Sequence, residues 1–412
     1  MNWNGAFCAP GSNAGTALVQ QKIVINGRFL TQRMVGVQRF AIEVTRVIDG
    51  LIESGEYAAL KGRVEILAPP AARDFPLRHI PVRRCGIGGS YFWEQLMLPF
   101  YAHGKLLLNF CSLGPVVTRD QIVVIHDATP KARPQNFTPL FCFLYNFLIP
   151  RLCRRALAIG TVSEFSRSEL GKWYGADTSK ITVCYVGADH ISRIVPDHAI
   201  IERLGLQGRE FFLGVGAGNN KNAETVIAAM QKAGLDDTLL MVTGYRNAKV
   251  NGQEVKIASD NLHPTGYVTD EQLRSLMEHA LALVSPSRYE GFGLPPVEGM
   301  VVGCPAIVSN TPAMVEICGD AALHCDADDI DGLARLLRTV HDDPAKRAEL
   351  IAAGKARAAR YTWDATARVL LDLCLAQFPQ AANQATNQTD SLDADQRPIV
   401  KPARSRERAL TS

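Results

Sequence analysis

Short apolar runs of strand length alternate with stretches of helical period along this chain from Lys22 to about residue 377. In the first half the runs are Lys22–Asn26, Val64–Leu67, Lys105–Leu108, Gln121–Ile125 and Leu157–Val162, with helical patterns at 36–53, 92–102, 138–155 and 164–174. Such runs suit strands buried on both faces, and regular alternation with helices predicts a parallel sheet covered on both sides. The pattern pauses over 186–208, a polar stretch holding Pro196, and restarts with strands near 210–215, 238–243, 281–285, 305–308 and 321–324. Helical patterns at 344–360 and 363–377 close it. The pattern predicts an α/β chain with two Rossmann-like domains, 21–190 and 209–362, joined by a linker at 191–208, and a closing helix at 363–378 that returns to the first domain. A flexible leader at 1–20 and a polar, disordered tail at 379–412 are expected to flank them.

Composition narrows the functional classes. With 47% hydrophobic and 21% charged residues over 412 positions, the chain has the make-up of a globular protein with room for two cores. A formal charge of +3 is too small for a strong nucleic-acid footprint, so no nucleic-acid partner is expected. Ten cysteines lie scattered without a CxxC pair or zinc spacing, as expected of reduced thiols in the cytoplasm. Neither a signal peptide nor a run of the roughly 20 apolar residues that span a bilayer is visible.

Candidate chemistry gathers where strands end and helices begin. The segment Ser285–Glu298 carries Glu290 and Glu298 across a loop with Gly291 and Gly293, and Pro295 and Pro296 suit the start of a helix. In open parallel sheets the C-terminal strand edge binds ligands, and free N–H groups at helix starts attract anions. Two carboxylates there suit a ligand with hydroxyls beside phosphates; alternatively Glu298 complements the helix dipole and Glu290 is solvated. The Gly214–Asn222 stretch brings Lys221 to a second helix start, where it either pairs with a diphosphate or is merely exposed. In the first half Gly36 precedes a helix, with Arg28, Arg33 and Arg39 nearby, and His126-Asp127 follows the strand at 121–125. That histidine either donates to a ligand hydroxyl, its tautomer fixed by Asp127, or bonds within its loop. Asp326-Ala-Asp328 and Asp393-Ala-Asp395 look like metal-binding pairs, but lie in an acidic turn and in the tail, so no metal is assigned. The aromatic stretch Phe141–Arg155, ending in arginines, suits packing on the sheet better than a membrane surface.

Taken together, these segments resemble family 4 of the retaining glycosyltransferases, enzymes of the GT-B fold with two facing Rossmann-like domains and a cleft between them. Arg288–Glu298, continued by Gly303–Asn310, is similar to that family's pair of glutamates separated by seven residues. Supporting pieces are Phe92–Gln95, Val124–Asp127, Thr161–Ser166, Asn220–Asn222 and Thr265–Asp270. The resemblance implies catalytic roles for Glu290, Lys221 and His126: Glu290 and His126 would contact the transferred hexose, and Lys221 the donor diphosphate. It also implies donor binding by Gly36, by the backbone N–H groups of Phe292, Gly293 and Leu294, and by Glu298, which would hold the nucleotide ribose. Two departures are visible, Asn219 and Asn220 where many relatives place an arginine, and one glycine, Gly36, where many have two. The implied activity is retaining transfer of a hexose, with mannose from GDP-mannose as leading candidate, to a saccharide or lipid-linked saccharide acceptor in polysaccharide or glycolipid assembly. The expected enzyme needs no cofactor or metal, is cytoplasmic, and is free to contact the inner face of the membrane peripherally. The alternatives are a catalytically silent nucleotide-binding or scaffold protein on the same fold, and a nicotinamide-dependent dehydrogenase, which lacks its glycine fingerprint here.

Overall fold

A computed structural model describes residues 22–216, 219–244, 249–250, 253–254 and 262–377. The leader at 1–20 and the tail at 379–412 lie outside the described residues. Seven strands form the first sheet: β1 (Ile23–Asn26), β2 (Val64–Ala68), β3 (Val82–Arg84), β4 (Leu106–Asn109), β5 (Gln121–Val124), β6 (Ala158–Thr161) and β7 (Ile181–Val183). They run parallel in the order β3-β2-β1-β4-β5-β6-β7.

The second half begins with β8 (Phe211–Val215) and β9 (Leu239–Thr243), followed by a small antiparallel pair, β10 (Lys249–Val250) and β11 (Gln253–Glu254). It continues with β12 (Leu262–Gly266), β13 (Ala282–Ser285), β14 (Ala306–Ser309) and β15 (Leu323–Cys325). These make a six-stranded parallel sheet ordered β12-β9-β8-β13-β14-β15. Both sheets are doubly wound, with strand order reversing between β1 and β4 and between β8 and β13. Those two reversal points are where such sheets open a crevice for ligands.

The sequence pattern produces these layers directly. Central strands such as β1, β4, β5, β13 and β14 are buried at every position, because helices cover both sheet faces. The helix Gly36–Glu53 turns Phe40, Val44, Ile48, Leu51 and Ile52 inward, the helical spacing that its sequence shows. Over 92–102 the single expected helix is three pieces, Ser90–Phe92, a π-helical turn Trp93–Met97 and Leu98–Tyr101, the turn coming just before Pro99. The helix Pro139–Arg155 does pack, through Leu148, Ile149 and Leu152, but it leaves Leu140 and Phe143 in solvent, so packing accounts for one face only.

The stretch read as a linker, 191–208, holds the short helix Ala199–Arg203, and Ile200, Ile201 and Leu206 join Phe211 and Leu239 in the core of the second sheet. It is packed structure rather than an open connector. The helix Trp363–Leu375 lies on the first half: Trp363 meets the Phe40 ring edge-on at 5.9 Å, and Arg368 pairs with Glu56 at 2.7 Å. Further contacts join the halves where Arg39 bonds Asp270, the Arg33 guanidinium lies 5.0 Å from the Tyr267 ring centre, and Ser163 Oγ donates to the Gly291 carbonyl at 2.6 Å.

Candidate functional site

Two loops meet at the reversal point of the second sheet. After β8 the chain turns at Gly216, whose φ of +97° favours glycine, passes a 3-10 turn at Asn219–Lys221, and enters the helix Ala223–Ala233. After β13 it runs through 286–292 to Gly293, at φ +86°, and starts the helix Leu294–Val302. Asn220 knits the loops, its amide donating to the Tyr289 carbonyl and its own carbonyl accepting from Arg288 N at 3.1 Å. Asn222 adds a bridge by donating to the Ala327 carbonyl at 2.6 Å. Both helix starts are thereby held close together, with their N–H groups directed past the strand ends.

This arrangement brings the expected ligand groups into contact. Lys221 Nζ lies 2.6 Å from Glu290 Oε1, with side chains 25% and 16% exposed, so the pair is reachable yet shielded enough to matter electrostatically. Phe292 buries its ring against Tyr361, leaving its backbone, like that of Gly293 and Leu294, as the part available to an anion. Glu298 is the fifth residue of its helix and is buried. Dipole effects fade beyond the first turn, so the dipole-complement alternative does not describe it. Its Oε1 instead lies 3.1 Å from His190 Nε2.

The first half contributes more selectively. Gly36 opens its helix exposed, with Val35 offering no side-chain cap and no acidic residue in the first turn, which leaves N–H groups free for an anion. Arg39 and Arg33 are engaged with Asp270 and Tyr267, whereas Arg28 is buried 2.9 Å from Glu94 and serves the interior rather than the loop. His126 is buried, and its Nε2 sits 2.8 Å from the Phe110 carbonyl. That contact puts the proton on Nε2 and leaves Nδ1 as the acceptor. Asp127 does not fix the tautomer as expected; its Oδ1 accepts from Thr129 N at 2.8 Å. A Cβ on Gly291 would lie 3.0 Å from Asp127 Cβ, so the glutamate loop passes directly over this pair. Burial pushes the Asp127 carboxyl upward, and the charge of Glu290 adds to the effect.

Burial also lowers the His126 imidazole to about 4, so the ring is neutral near pH 7. Its unfolded value is near 6.5, so between that pH and about 4 the unfolded chain binds the extra proton. Stability from this group is therefore complete above pH 6.5 and lost as pH falls towards 4, by about 3 kcal/mol. In urea unfolding, His126→Asn should flatten the fall in stability between pH 7 and pH 4 by about that amount. An unchanged pH slope would show that His126 titrates normally.

A cavity of about 450 Å³ opens beside Glu290, lined from both halves by Arg133, Lys172, Trp173, Arg288 and Tyr289 among others. It supplies cationic groups, Arg133, Lys172 and Arg288, beside the loop that carries Glu290. Among the described residues no group of three or more His, Cys, Asp and Glu side chains is placed to hold a metal. Of the two Asp-Ala-Asp segments, Asp328 pairs with Arg288 at 2.6 Å, and 393–395 lies outside the described residues. His190 and Trp363 were not singled out in the sequence. His190 falls in the polar pause, and nothing local pairs it with Glu298, far along the chain.

Residues 198–357, which include both helix starts of the second half, match the family model described as glycosyl transferases group 1. The chain is 33% identical over 221 residues to O-antigen chain mannosyltransferase B of Escherichia coli, covering 51% of this chain and 58% of that protein. It is 27% identical over 259 residues to the O-antigen chain mannosyltransferase RfbU of Salmonella typhimurium, covering 62% and 70%. These matches thus span 51% and 62% of this chain, and the chain covers little more than half of the first relative. A sucrose-phosphate synthase from Thermosynechococcus elongatus superposes with a TM-score of 0.67 at 18% identity, covering 87% of this chain and 99% of that one. At that identity the likeness shows the fold alone, which is GT-B, as the sequence resemblance implied.

Proposed function

We propose, from the match of residues 198–357 to the group 1 glycosyl transferases, that this chain moves a hexose from a nucleotide sugar to a saccharide or lipid-linked saccharide acceptor. The observation that carries the reading is the meeting of Lys221, Glu290 and two helix starts at one strand-reversal point, with Glu298 one turn further along. A diphosphate suits the N–H groups of Phe292–Leu294 and the Lys221 ammonium, and ribose hydroxyls suit a carboxylate such as Glu298. Mannose is the leading sugar, and GDP-mannose the leading donor, because both curated relatives are named mannosyltransferases. Assembly of a polysaccharide or glycolipid follows from the same names. The exposed Leu140 and Phe143 face of the helix ending in Arg154 and Arg155 supports peripheral contact with an anionic membrane.

In the proposed reaction the glycosidic C–O bond breaks first, and its electron pair stays on the diphosphate. Lys221 leaves Glu290 to meet that growing charge, aided by the backbone N–H groups, while Glu290 and His126 Nδ1 hold hydroxyls of the hexose. The acceptor oxygen attacks from the side the diphosphate leaves, and its proton passes to a diphosphate oxygen. Anomeric configuration is retained, and no step is assigned to a metal.

Purified full-length protein should release GDP from GDP-mannose when a saccharide acceptor is supplied, and GDP should raise its melting temperature more than UDP or dTDP. A shift with a different nucleoside diphosphate would change the donor and keep the reaction class. Absence of both shift and release with all three would favour the silent scaffold.

A further inference from the structure

Glu298 is held by a chain of contacts that begins on the closing helix. Trp363 is fully buried, packs edge-on against Phe40, and donates its backbone N–H to Asp189 Oδ1 at 2.7 Å. Its indole Nε1 donates to His190 Nδ1 at 3.0 Å. An imidazole nitrogen that accepts such a bond carries no proton, so in the neutral ring the proton sits on the other nitrogen. That nitrogen, Nε2, is the atom 3.1 Å from Glu298 Oε1. His190 is 4% exposed and Glu298 6%, so water does not screen or replace the contact. Gly187, just before this segment, is pressed so closely on Trp363 that a Cβ there would lie 2.3 Å from its backbone nitrogen. The backbone carrying His190 is therefore fixed against the closing helix, not free to follow Glu298.

We propose that His190, oriented by the Trp363 indole, is a positioning residue that holds Glu298 Oε1 and turns Oε2 towards the hydroxyls of the donor nucleotide. The proposal rests on the reading of Glu298 as the ribose-holding carboxylate. A carboxylate with one oxygen tied keeps its acceptor sites in one orientation, so binding ribose costs less ordering of the side chain. Contacts of this outer kind tune affinity by about 10- to 100-fold at metal sites, and the lower end of that range is the effect expected at Glu298. His190 touches neither the sugar nor the diphosphate in this arrangement, so its effect belongs to nucleotide binding, not to the bond-breaking step.

The test uses the full-length protein and calorimetric titration with GDP, UDP and dTDP, read beside donor kinetics. His190→Phe keeps an aromatic ring but has no donor, and should weaken the preferred nucleoside diphosphate by about 10-fold or more, raising donor KM and leaving kcat within about threefold. His190→Gln restores an N–H donor and should recover most of the affinity, a rescue that a purely packing role for the ring would not give. Trp363→Phe, which keeps the packing and removes the indole N–H, should show a smaller loss in the same direction. The double variant with Glu298→Ala should bind no more weakly than Glu298→Ala alone, because both changes remove the same contact. If Glu298→Ala weakens binding while His190→Phe binds as the unaltered protein does, the positioning role is overturned and the nucleotide site stands. If Glu298→Ala itself binds normally, the ribose-holding reading fails instead. Should His190→Phe not fold, His190→Gln and Trp363→Phe decide: full loss in the first, or none in the second, overturns the proposal.

Discussion

Replacing Lys221 with alanine should lower turnover by about two to three orders of magnitude while changing donor KM by less than about tenfold. The asymmetry follows from where the ammonium rests. Without a donor it lies 2.6 Å from Glu290 Oε1, so binding the ground-state diphosphate exchanges one anionic partner for another and gains little. In the proposed reaction negative charge builds on the leaving phosphate as the glycosidic bond breaks, and the Lys221 contact would strengthen at that moment alone. Only interactions stronger in the transition state than in the ground state raise kcat. Steady-state kinetics with saturating acceptor separate the two quantities. Normal turnover with a large loss of donor affinity would assign Lys221 to binding and remove it from the chemistry.

Much of this architecture is legible in the chain because buried parallel strands leave a plain signature. Ile23–Asn26, Gln121–Val124 and Ala282–Ser285 are apolar at three of four positions, buried at all four, and inside their sheets. The strands that the pattern does not show are all at sheet edges. β3 is Val82-Arg83-Arg84 and half solvated, β12 holds Pro264, which an edge tolerates because one side of its backbone needs no partner, and β7 has only three residues. Local composition says little about pairing when half of a strand's environment is water.

The site divides in the same way. Glycine turns and helix starts are local events, so Gly36, Gly293 and Lys221 stand out by position. Pairings made by folding are not local: Arg28 looks like a loop cation until Glu94 is found beside it, and Asp127 looks like the partner of His126 until Thr129 N and the Phe110 carbonyl take those roles. Asn220, a departure from the resembled pattern, makes a pairing of the same kind. Asn220 uses its amide on the Tyr289 carbonyl, which fixes the loop carrying Glu290, a role that its place in the sequence does not show.

Glu290→Gln should reduce turnover by about 10- to 100-fold and leave nucleoside diphosphate affinity unchanged or tighter. The substitution preserves shape and removes charge, and hydrogen bonds to charged groups contribute about 1.5 to 3 kcal/mol, which is the stated range in rate. Two effects act in opposite directions. Turnover is expected to fall because a neutral amide oxygen replaces a charged acceptor of a hexose hydroxyl, beside the centre where positive charge develops in the proposed reaction. Diphosphate binding does not fall, because Lys221 is released from its 2.6 Å pairing and meets the phosphates without exchanging partners. The Lys221→Ala, Glu290→Gln double variant should therefore show non-additive binding: the gain from Glu290→Gln disappears once the lysine is absent. Rates come from product formation, affinities from calorimetry. Turnover equal to that of the unaltered protein would move Glu290 out of the reacting centre, and a diphosphate affinity that falls with Glu290→Gln would make the Lys221 pair a binding scaffold instead of a resting state.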